Sequence, residues 1–331
     1  RASVTTSPSD APDLRGERVL VVGGRGFVGS HVVRALVAAG ARPQLFGPRM
    51  AEDRLEDLAG RIDDHEGSIT DRTSIDAALS SSRASAIVSC AAHGVARLGL
   101  MRSGEADADG AMAVNVTGLG KLLDAAREAD IRRVVWTSST VVYGPADHYG
   151  PEPVDEDAPA APVTFYGLTK TLAETLADYH ARRFGLSVVG LRLPLILGSG
   201  LWYQGAAAAL AGLFEAARRG ERYRLSFHDD IFDLMHVADV GEAVVAVLRH
   251  PGPLARVYNL EAFKACASDL VAEVLRQRPG LDIVLDRTQP PLLFPLITGE
   301  RLARDVGFSA RHDLTGFVAE MLAPDTAGVP T

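Results

Sequence analysis

The feature that most constrains the fold is a glycine-rich turn between an apolar run and an amphipathic segment. RVLVVGG (18–24) predicts a buried strand, and FVGSHVVRALVAAG (27–40) has apolar residues at helical spacing. Gly23, Gly26 and Gly29 lie at the junction. The first permits a tight turn, the second lets backbone approach a pyrophosphate, and the third lets helix and strand pack closely. This order of strand, turn and helix predicts a dinucleotide-binding unit.

Strand and helix patterns keep alternating after this unit. We predict further strands at 42–47, 84–92, 131–139 and 186–194. Asp71 is expected to cap one intervening helix, and another helix is predicted to begin near Phe165 and to end in ARRFG, after a proline-rich loop at 144–163. Repeated β-α-β units imply an α/β fold of the Rossmann type, with a doubly wound parallel sheet and a smaller C-terminal substrate lobe.

The pattern changes near both ends of the chain. Residues 1–16 are rich in Ser, Pro and Asp, which predicts a flexible N-terminal tail. We assign 17–194 to the dinucleotide-binding Rossmann domain and 195–331 mainly to the substrate lobe, where loops and short helices alternate. Parts of 225–260 are expected to return to the Rossmann domain.

Composition argues against several classes of partner. The net charge is -8 and there is no basic run, so we expect no nucleic-acid partner. Residues 193–214 carry no charge, but Pro194 and several glycines interrupt them, so we predict a loop and an Ala-rich helix instead of a membrane span. The two cysteines, Cys90 and Cys266, form no zinc pattern. We expect a cytoplasmic protein without a bound metal.

The end of the second strand bears on the choice of cofactor. An acid about 20 residues beyond the glycine turn usually binds the ribose 2′-OH of NAD. Here that strand ends in QLFGPR, with Gly47 at the expected position and Arg49 two residues later. Arg25 projects from the turn itself. Two arginines without an acid favour the 2′-phosphate of NADP, with NAD as the alternative.

Tyr166 and Lys170 in TFYGLTK suggest acid–base chemistry. At i, i+4 they share one face of a helix. An ammonium ~4 Å from a phenolate contributes roughly 4 kcal/mol at an effective dielectric near 20, which would bring the phenol pKa toward neutral. Lys170 is one of three lysines in the chain. Upstream, WTSSTVVYG places Ser138 and Ser139 at a strand end, where a hydroxyl can bind a reacting oxygen.

These motifs together resemble a known family. GGRGFVGS, VNVTG, WTSSTVVYG, FYGLTK and DLMHVADVGEA are similar to the motifs of extended short-chain dehydrogenase/reductases, the NAD(P)-dependent epimerase/dehydratase group. The resemblance covers roughly residues 17–322. It implies that Tyr166 is the catalytic acid/base, that Lys170 tunes its pKa and holds the nicotinamide ribose, and that Ser139, not Ser138, is the catalytic serine.

The resemblance also implies the cofactor contacts. The expected residues are Gly23, Arg25, Gly26, Phe27, Val28, Gly29, Arg49, Ser68, Ile69, Ala91, Ala92, Asn115, Tyr166, Lys170 and Pro194. Ser68 stands where the family usually has Asp. His236 and Asp239 belong to a motif that is mostly architectural. Helices 111–130 and 165–184 match those that pair as a four-helix bundle in family homodimers.

Differences between this chain and the family motifs narrow the choice of reaction. Dehydratases carry Asp-Glu where this chain has Thr140 and Val141, so elimination lacks its acid and base. Epimerases usually hold the nucleotide diphosphate with an arginine where this chain has Phe232, and they commonly have an Asn in the stretch that reads LRLPLIL here. We expect the substrate to contact His93, Ser139, Thr140, Trp202, Tyr203 and Phe232.

The resulting hypothesis is an NADP(H)-dependent oxidoreductase that interconverts an alcohol and a ketone or aldehyde on a small, partly apolar substrate. The first alternative is a nucleotide-sugar 4-epimerase with tightly bound NAD. The second is a cofactor-binding protein without catalysis.

Overall fold

The computed structural model describes residues 14–50, 54–205, 207–290 and 292–324. Its strands, in chain order, are β1 (Arg18–Val22), β2 (Arg42–Gly47), β3 (Asp63–Glu66), β4 (Ala86–Ser89), β5 (Arg133–Ser139), β6 (Val188–Leu193), β7 (Leu195–Leu197), β8 (Tyr223–Phe227), β9 (Phe232–His236), β10 (Val257–Asn259), β11 (Phe263–Ala265) and β12 (Ile283–Arg287). The main sheet has seven parallel strands in the order β10-β6-β5-β4-β1-β2-β3. The doubly wound fold predicted from the sequence is confirmed.

The helices are α1 (Phe27–Ala38), α2 (Arg72–Ser82), α3 (Leu100–Ala106), α4 (Ala108–Met112), α5 (Leu119–Glu128), α6 (Phe165–Phe184), α7 (Ala208–Arg219), α8 (Val237–Arg249), α9 (Ala267–Gln277), α10 (Glu300–Val306) and α11 (Leu314–Leu322). A π-helical stretch, Ala113–Gly118, joins α4 to α5. The Asp71 side chain accepts a hydrogen bond from Thr73 N at the start of α2, as predicted. The predicted start and end of α6 are also confirmed.

Two apolar layers cover the main sheet. The central strands are buried on both faces, which explains their runs of Val and Ile. Helices α1 and α8 cover one face, and α2, α5 and α6 cover the other. A Cβ on Gly241 of α8 would lie 2.8 Å from the Ala35 side chain in α1, so glycine permits this close helix pair. The parallel strands therefore present one carboxyl edge for ligands.

A late part of the chain completes the main sheet. β10 pairs with β6 at its edge. The buried guanidinium of Arg133 in β5 donates hydrogen bonds of 2.7 Å to the carbonyl oxygens of Val247, His250 and Gly252. These bonds attach the end of α8 to the sheet.

The remaining C-terminal elements form a second core. β7, β9 and β11 form a small sheet, and α7, α9 and α11 pack against it. At the other end, residues 1–13 of the predicted tail lie outside the described residues. Leu14 is buried and Gly16 N donates to Gly40 O at 2.8 Å, so residues 14–16 are packed against the domain.

Candidate active site

The glycine turn forms a tight cradle at the start of α1. Gly23 has a φ of +75°, which favours glycine. A Cβ on Gly29 would lie 2.1 Å from Gly23 O, and one on Gly23 would lie 3.1 Å from Ala91 N. Gly26 precedes Phe27 at the helix N-terminus. The cradle therefore fits a pyrophosphate held by backbone N–H groups and the helix dipole.

Both arginines at the ribose end are paired with carboxylates of β3. Arg25 Nη1 lies 2.6 Å from Asp64 Oδ1, and Arg49 Nε lies 2.9 Å from Glu66 Oε2. The second pair is exposed on both sides. Sequence reasoning missed these acids because β2–β3 pairing brings them to the strand end. A 2′-phosphate would have to compete with them for the arginines.

The expected adenine contacts lie beside this region. Ile69 is buried in the core, and its side chain packs near Gly118. Ser68 Oγ lies 2.8 Å from Thr70 Oγ1, and its backbone N donates to Ser74 Oγ at 3.2 Å. Ser68 is thus held within its own turn.

Asn115 connects the loop after β4 with the catalytic helix. Its buried side chain accepts a hydrogen bond from His93 N at 2.8 Å and donates to Thr169 Oγ1 at 3.0 Å. His93 Nε2 lies 2.9 Å from Asp107 Oδ2, which is close enough for an ion pair when the imidazole is protonated. Ala91 and Ala92 precede His93 in this loop. The structure therefore brings four of the expected residues to the carboxyl edge of β4.

Ser139, Tyr166 and Lys170 meet where β5 ends against α6. Tyr166 and Lys170 are buried on the inner face of α6. Lys170 Nζ donates to Thr137 O at 2.7 Å and lies 5.6 Å from the centre of the Tyr166 ring. Thr140 and Pro194 flank the trio, and Thr140 Oγ1 donates to Leu193 O at 3.3 Å. The three predicted catalytic residues thus form one cluster.

The pKa of Tyr166 differs from the expectation. Burial raises its pKa above the ordinary value, the nearby Tyr203 hydroxyl adds to the rise, and a hydrogen bond with Ser139 opposes it. Burial also lowers the pKa of Lys170 from its ordinary value of 10.5 to about 8. The prediction that the phenol pKa lies near neutral is wrong for this structure, because burying both groups costs free energy that residue spacing does not reveal.

A buried ion pair between β6 and α6 lies next to the trio. Arg192 of β6 donates to Glu174 of α6 through Nε at 2.9 Å and Nη2 at 2.7 Å. Ser138 Oγ donates to the same carboxylate at 2.6 Å, and Arg192 Nη1 donates to the Tyr143 hydroxyl at 2.7 Å. Glu174 lies one turn beyond Lys170, a spacing that could have drawn attention to it. This pair fixes α6 against β5 and β6.

Aromatic side chains occupy the expected substrate side. The Tyr203 ring lies 6.1 Å from that of Phe27 and 5.8 Å from that of Trp202. Phe232 lies 5.6 Å from both Phe227 and His228, so the place of the family arginine is aromatic. Tyr203 lies near Tyr166 of the trio and Trp202 packs against Tyr203, whereas Phe232 belongs to a separate aromatic group.

Two absences among the described residues bear on metal binding and membrane insertion. No group of three or more His, Cys, Asp or Glu side chains there could hold a metal ion. No helix in the described part of the chain is long and apolar enough to cross a membrane.

Comparison with known proteins decides the family. Residues 19–260 match the model of the NAD dependent epimerase/dehydratase family. The chain belongs to this family. Epimerase/dehydratase relatives include the mitochondrial L-threonine 3-dehydrogenase of Bos taurus, 30% identical over 66% of this chain and 60% of that protein. The chain therefore aligns with less than two thirds of that relative.

A second epimerase/dehydratase relative is a UDP-glucose 4-epimerase of Rhizobium leguminosarum bv. trifolii, 32% identical over 72% of this chain and 74% of its own. Among solved structures, a GalE-like L-threonine dehydrogenase from Cupriavidus necator superposes with a TM-score of 0.80 at 22% identity. It covers 92% of this chain and 99% of that chain. The family resemblance seen in the sequence motifs is thus confirmed.

Proposed function

We propose that this chain is an NAD(P)-dependent oxidoreductase that interconverts a secondary alcohol and a ketone on a small, partly apolar substrate. The meeting of Ser139, Tyr166 and Lys170 at the carboxyl edge carries this proposal. The similarity to L-threonine 3-dehydrogenases supports a simple alcohol oxidation.

Each residue of the trio has a defined task. Tyr166 donates its proton to the carbonyl oxygen in reduction and, as the phenolate, removes the hydroxyl proton in oxidation. Ser139 hydrogen-bonds the same oxygen and holds it beside the phenol. Lys170, oriented by Thr137 O, stabilises the phenolate after proton transfer. NAD(P) supplies or accepts the hydride when it is bound at the glycine cradle.

A competing candidate is a nucleotide-sugar 4-epimerase, which the UDP-glucose 4-epimerase relatives support. The aromatic group around Phe232 counts against it, because an apolar ring cannot hold a diphosphate as an arginine does. The decisive experiment is an assay of NADPH and NADH oxidation with a panel of small ketones, beside conversion of UDP-glucose. Ketone reduction with net cofactor consumption supports the proposal. Epimerisation without net consumption contradicts it.

We propose NADP(H) as the preferred cofactor, since Arg25 and Arg49 flank the expected ribose site. The paired carboxylates of Asp64 and Glu66 weaken this preference and keep NAD as the alternative. Relative affinities for NADPH and NADH decide between them.

We also propose that the chain forms a homodimer through a four-helix bundle of α5, α6 and their partner copies. The support is an apolar stripe on α6, where Leu168, Leu172 and Tyr179 are exposed. Such a stripe on a long helix is typical of a protein interface.

Both cysteines are free, which agrees with a reducing, cytoplasmic location.

A further inference from the structure

Two loops meet over the carboxyl edge of the main sheet. One follows β4 and the other follows β7. Gln204 N donates to Arg97 O at 2.6 Å, and Gly99 N donates to Gln204 O at 3.0 Å. Leu98 and Gln204 form a parallel bridge between the loops. We call segments 97–99 and 203–205 together the strap.

The strap depends on two facing glycines. A Cβ on Gly99 would lie 2.6 Å from the Cα of Gly205, a distance that neither backbone can accommodate without moving. Gly94, five residues earlier in the same loop, has nothing within 4 Å of such a Cβ. Substitution of Gly99 therefore opens the strap, and substitution of Gly94 provides a matched control.

The strap is attached to both sides of the catalytic centre. On one side, Tyr203 stacks edge-on against Phe27 of the glycine turn. On the other, α3 follows Gly99 directly, and Glu105 Oε1 accepts a hydrogen bond from Phe165 N at 2.8 Å. A Cβ on Gly104 of α3 would lie 3.0 Å from Tyr166 N. Residues 99–105 thus link the strap to the first turn of the catalytic helix, which they contact through a hydrogen bond and close packing.

A second contact holds the loop that carries Tyr203. His31 Nε2 of α1 lies 3.0 Å from Ser199 O. The strap is therefore held to α1 and to α6, and its two segments are hydrogen-bonded to each other. Tyr203 is half-buried, contacts Phe27 and lies near Tyr166.

We propose that the strap is the roof of the substrate pocket and sets an upper size limit on the substrate, with the Tyr203 hydroxyl as the polar group that the substrate meets opposite Tyr166. This rests on the proposed oxidoreductase function. A substrate that must lie wholly under a closed roof is a small hydroxy or keto compound, and a nucleotide sugar extends beyond the roof.

The strap is tested first without any substrate. Dissociation of NADPH, or of NADH if it binds more tightly, is followed by stopped-flow fluorescence. Gly99→Val is expected to speed dissociation about tenfold, because an opened strap no longer holds Tyr203 against Phe27 beside the glycine turn, whereas Gly94→Val leaves the rate unchanged. The double variant Leu98→Cys/Gln204→Cys, oxidised to a disulfide across the bridge, is expected to slow dissociation, with recovery on reduction. An unchanged rate of cofactor dissociation in both variants would overturn the proposal that the strap forms a roof.

The size limit is tested with 2-butanone and 4-phenyl-2-butanone. We expect Gly99→Val to raise kcat/KM for the larger ketone relative to the smaller by about tenfold, and Gly94→Val to leave the ratio unchanged. An equal loss for both ketones contradicts the size limit. If no ketone reacts but cofactor release still responds to the strap variants, the oxidoreductase proposal fails. The proposal that the strap forms a roof then stands.

Discussion

Glu174 of α6 accepts two hydrogen bonds from the buried guanidinium of Arg192 in β6, and both side chains are almost fully shielded from water. The carboxylate also accepts from Ser138, the neighbour of Ser139. The Glu174 carboxylate thus connects β6 and the strand that carries Ser139 with the helix that carries Tyr166 and Lys170. The first prediction concerns this pair.

Glu174→Gln should destabilise the protein by about 3–5 kcal/mol, because it leaves the Arg192 charge buried without a counterion. Urea unfolding followed by circular dichroism measures the change. Glu215→Gln, which breaks an exposed i, i+4 pair with Arg219, should cost at most about 0.5 kcal/mol. Equal losses in the two variants would contradict the role given to the buried pair.

Tyr166→Phe should lower kcat by about a hundredfold or more, because proton transfer to the substrate oxygen loses its donor. Cofactor affinity should change little, since the glycine cradle is untouched. Steady-state kinetics and cofactor titration test both points. Tyr179→Phe, on the same helix but on the proposed dimer face and outside the trio, is the control. Near-normal turnover in Tyr166→Phe would remove the catalytic assignment.

Lys170 should give folding a distinct pH dependence. Burial lowers its pKa to about 8 from 10.5, so the unfolded chain binds this proton more tightly. The cost of the buried charge is present below about pH 8 and disappears as pH rises toward 10.5. Relative to Lys170→Met, the wild type should gain roughly 1.4 kcal/mol per pH unit across this window.

Unfolding free energies of both proteins at pH 7 to 10.5 test this expectation. Lys121→Met, which also removes a lysine that donates to a backbone carbonyl, is the reference for loss of a charge. A constant difference between wild type and Lys170→Met over the window would refute the prediction.

Asp64→Asn should strengthen NADPH binding about fivefold relative to NADH, because it releases Arg25 for the 2′-phosphate. Arg25→Ala should have the opposite effect. Fluorescence titration with both cofactors gives the ratio. Asp57→Asn, which breaks a similar pair with Arg34, is the control. If neither Asp64→Asn nor Arg25→Ala changes the ratio of NADPH to NADH affinity, Arg25 has no part in cofactor selection.

Leu172→Glu should convert the proposed dimer to a monomer, because it places a charge in the centre of the apolar stripe on α6. Analytical ultracentrifugation measures the association state. Ile231→Glu, at an exposed apolar position of the substrate lobe, should leave it unchanged. A wild-type protein that sediments as a monomer would refute the dimer directly.

The fold was accessible from the sequence because its signals are local. The turn at Gly23, Gly26 and Gly29 and the spacing of Tyr166 and Lys170 lie within short segments. Apolar runs of strand length predicted the strands of the parallel sheet. The observed strand ends differ from the predicted ends by a few residues. Such features need no knowledge of distant partners.

The electrostatics of the site were not accessible, because they arise from pairing between distant segments. Asp64 reaches Arg25 through the β2–β3 register, and Arg192 reaches Glu174 across a helix and a strand. The pKa of Tyr166 depends on its burial, which spacing does not reveal. The contact between Arg97 and Gln204 joins loops about a hundred residues apart in a region without periodic pattern.

The placement of β10 has a consequence for synthesis of the protein on the ribosome. Until Val257–Asn259 has been translated and has left the exit tunnel, β6 presents an unpaired edge, although every residue of the catalytic trio is already present. Nascent chains of intermediate length therefore carry the chemistry of the site on a sheet that can still pair with other chains.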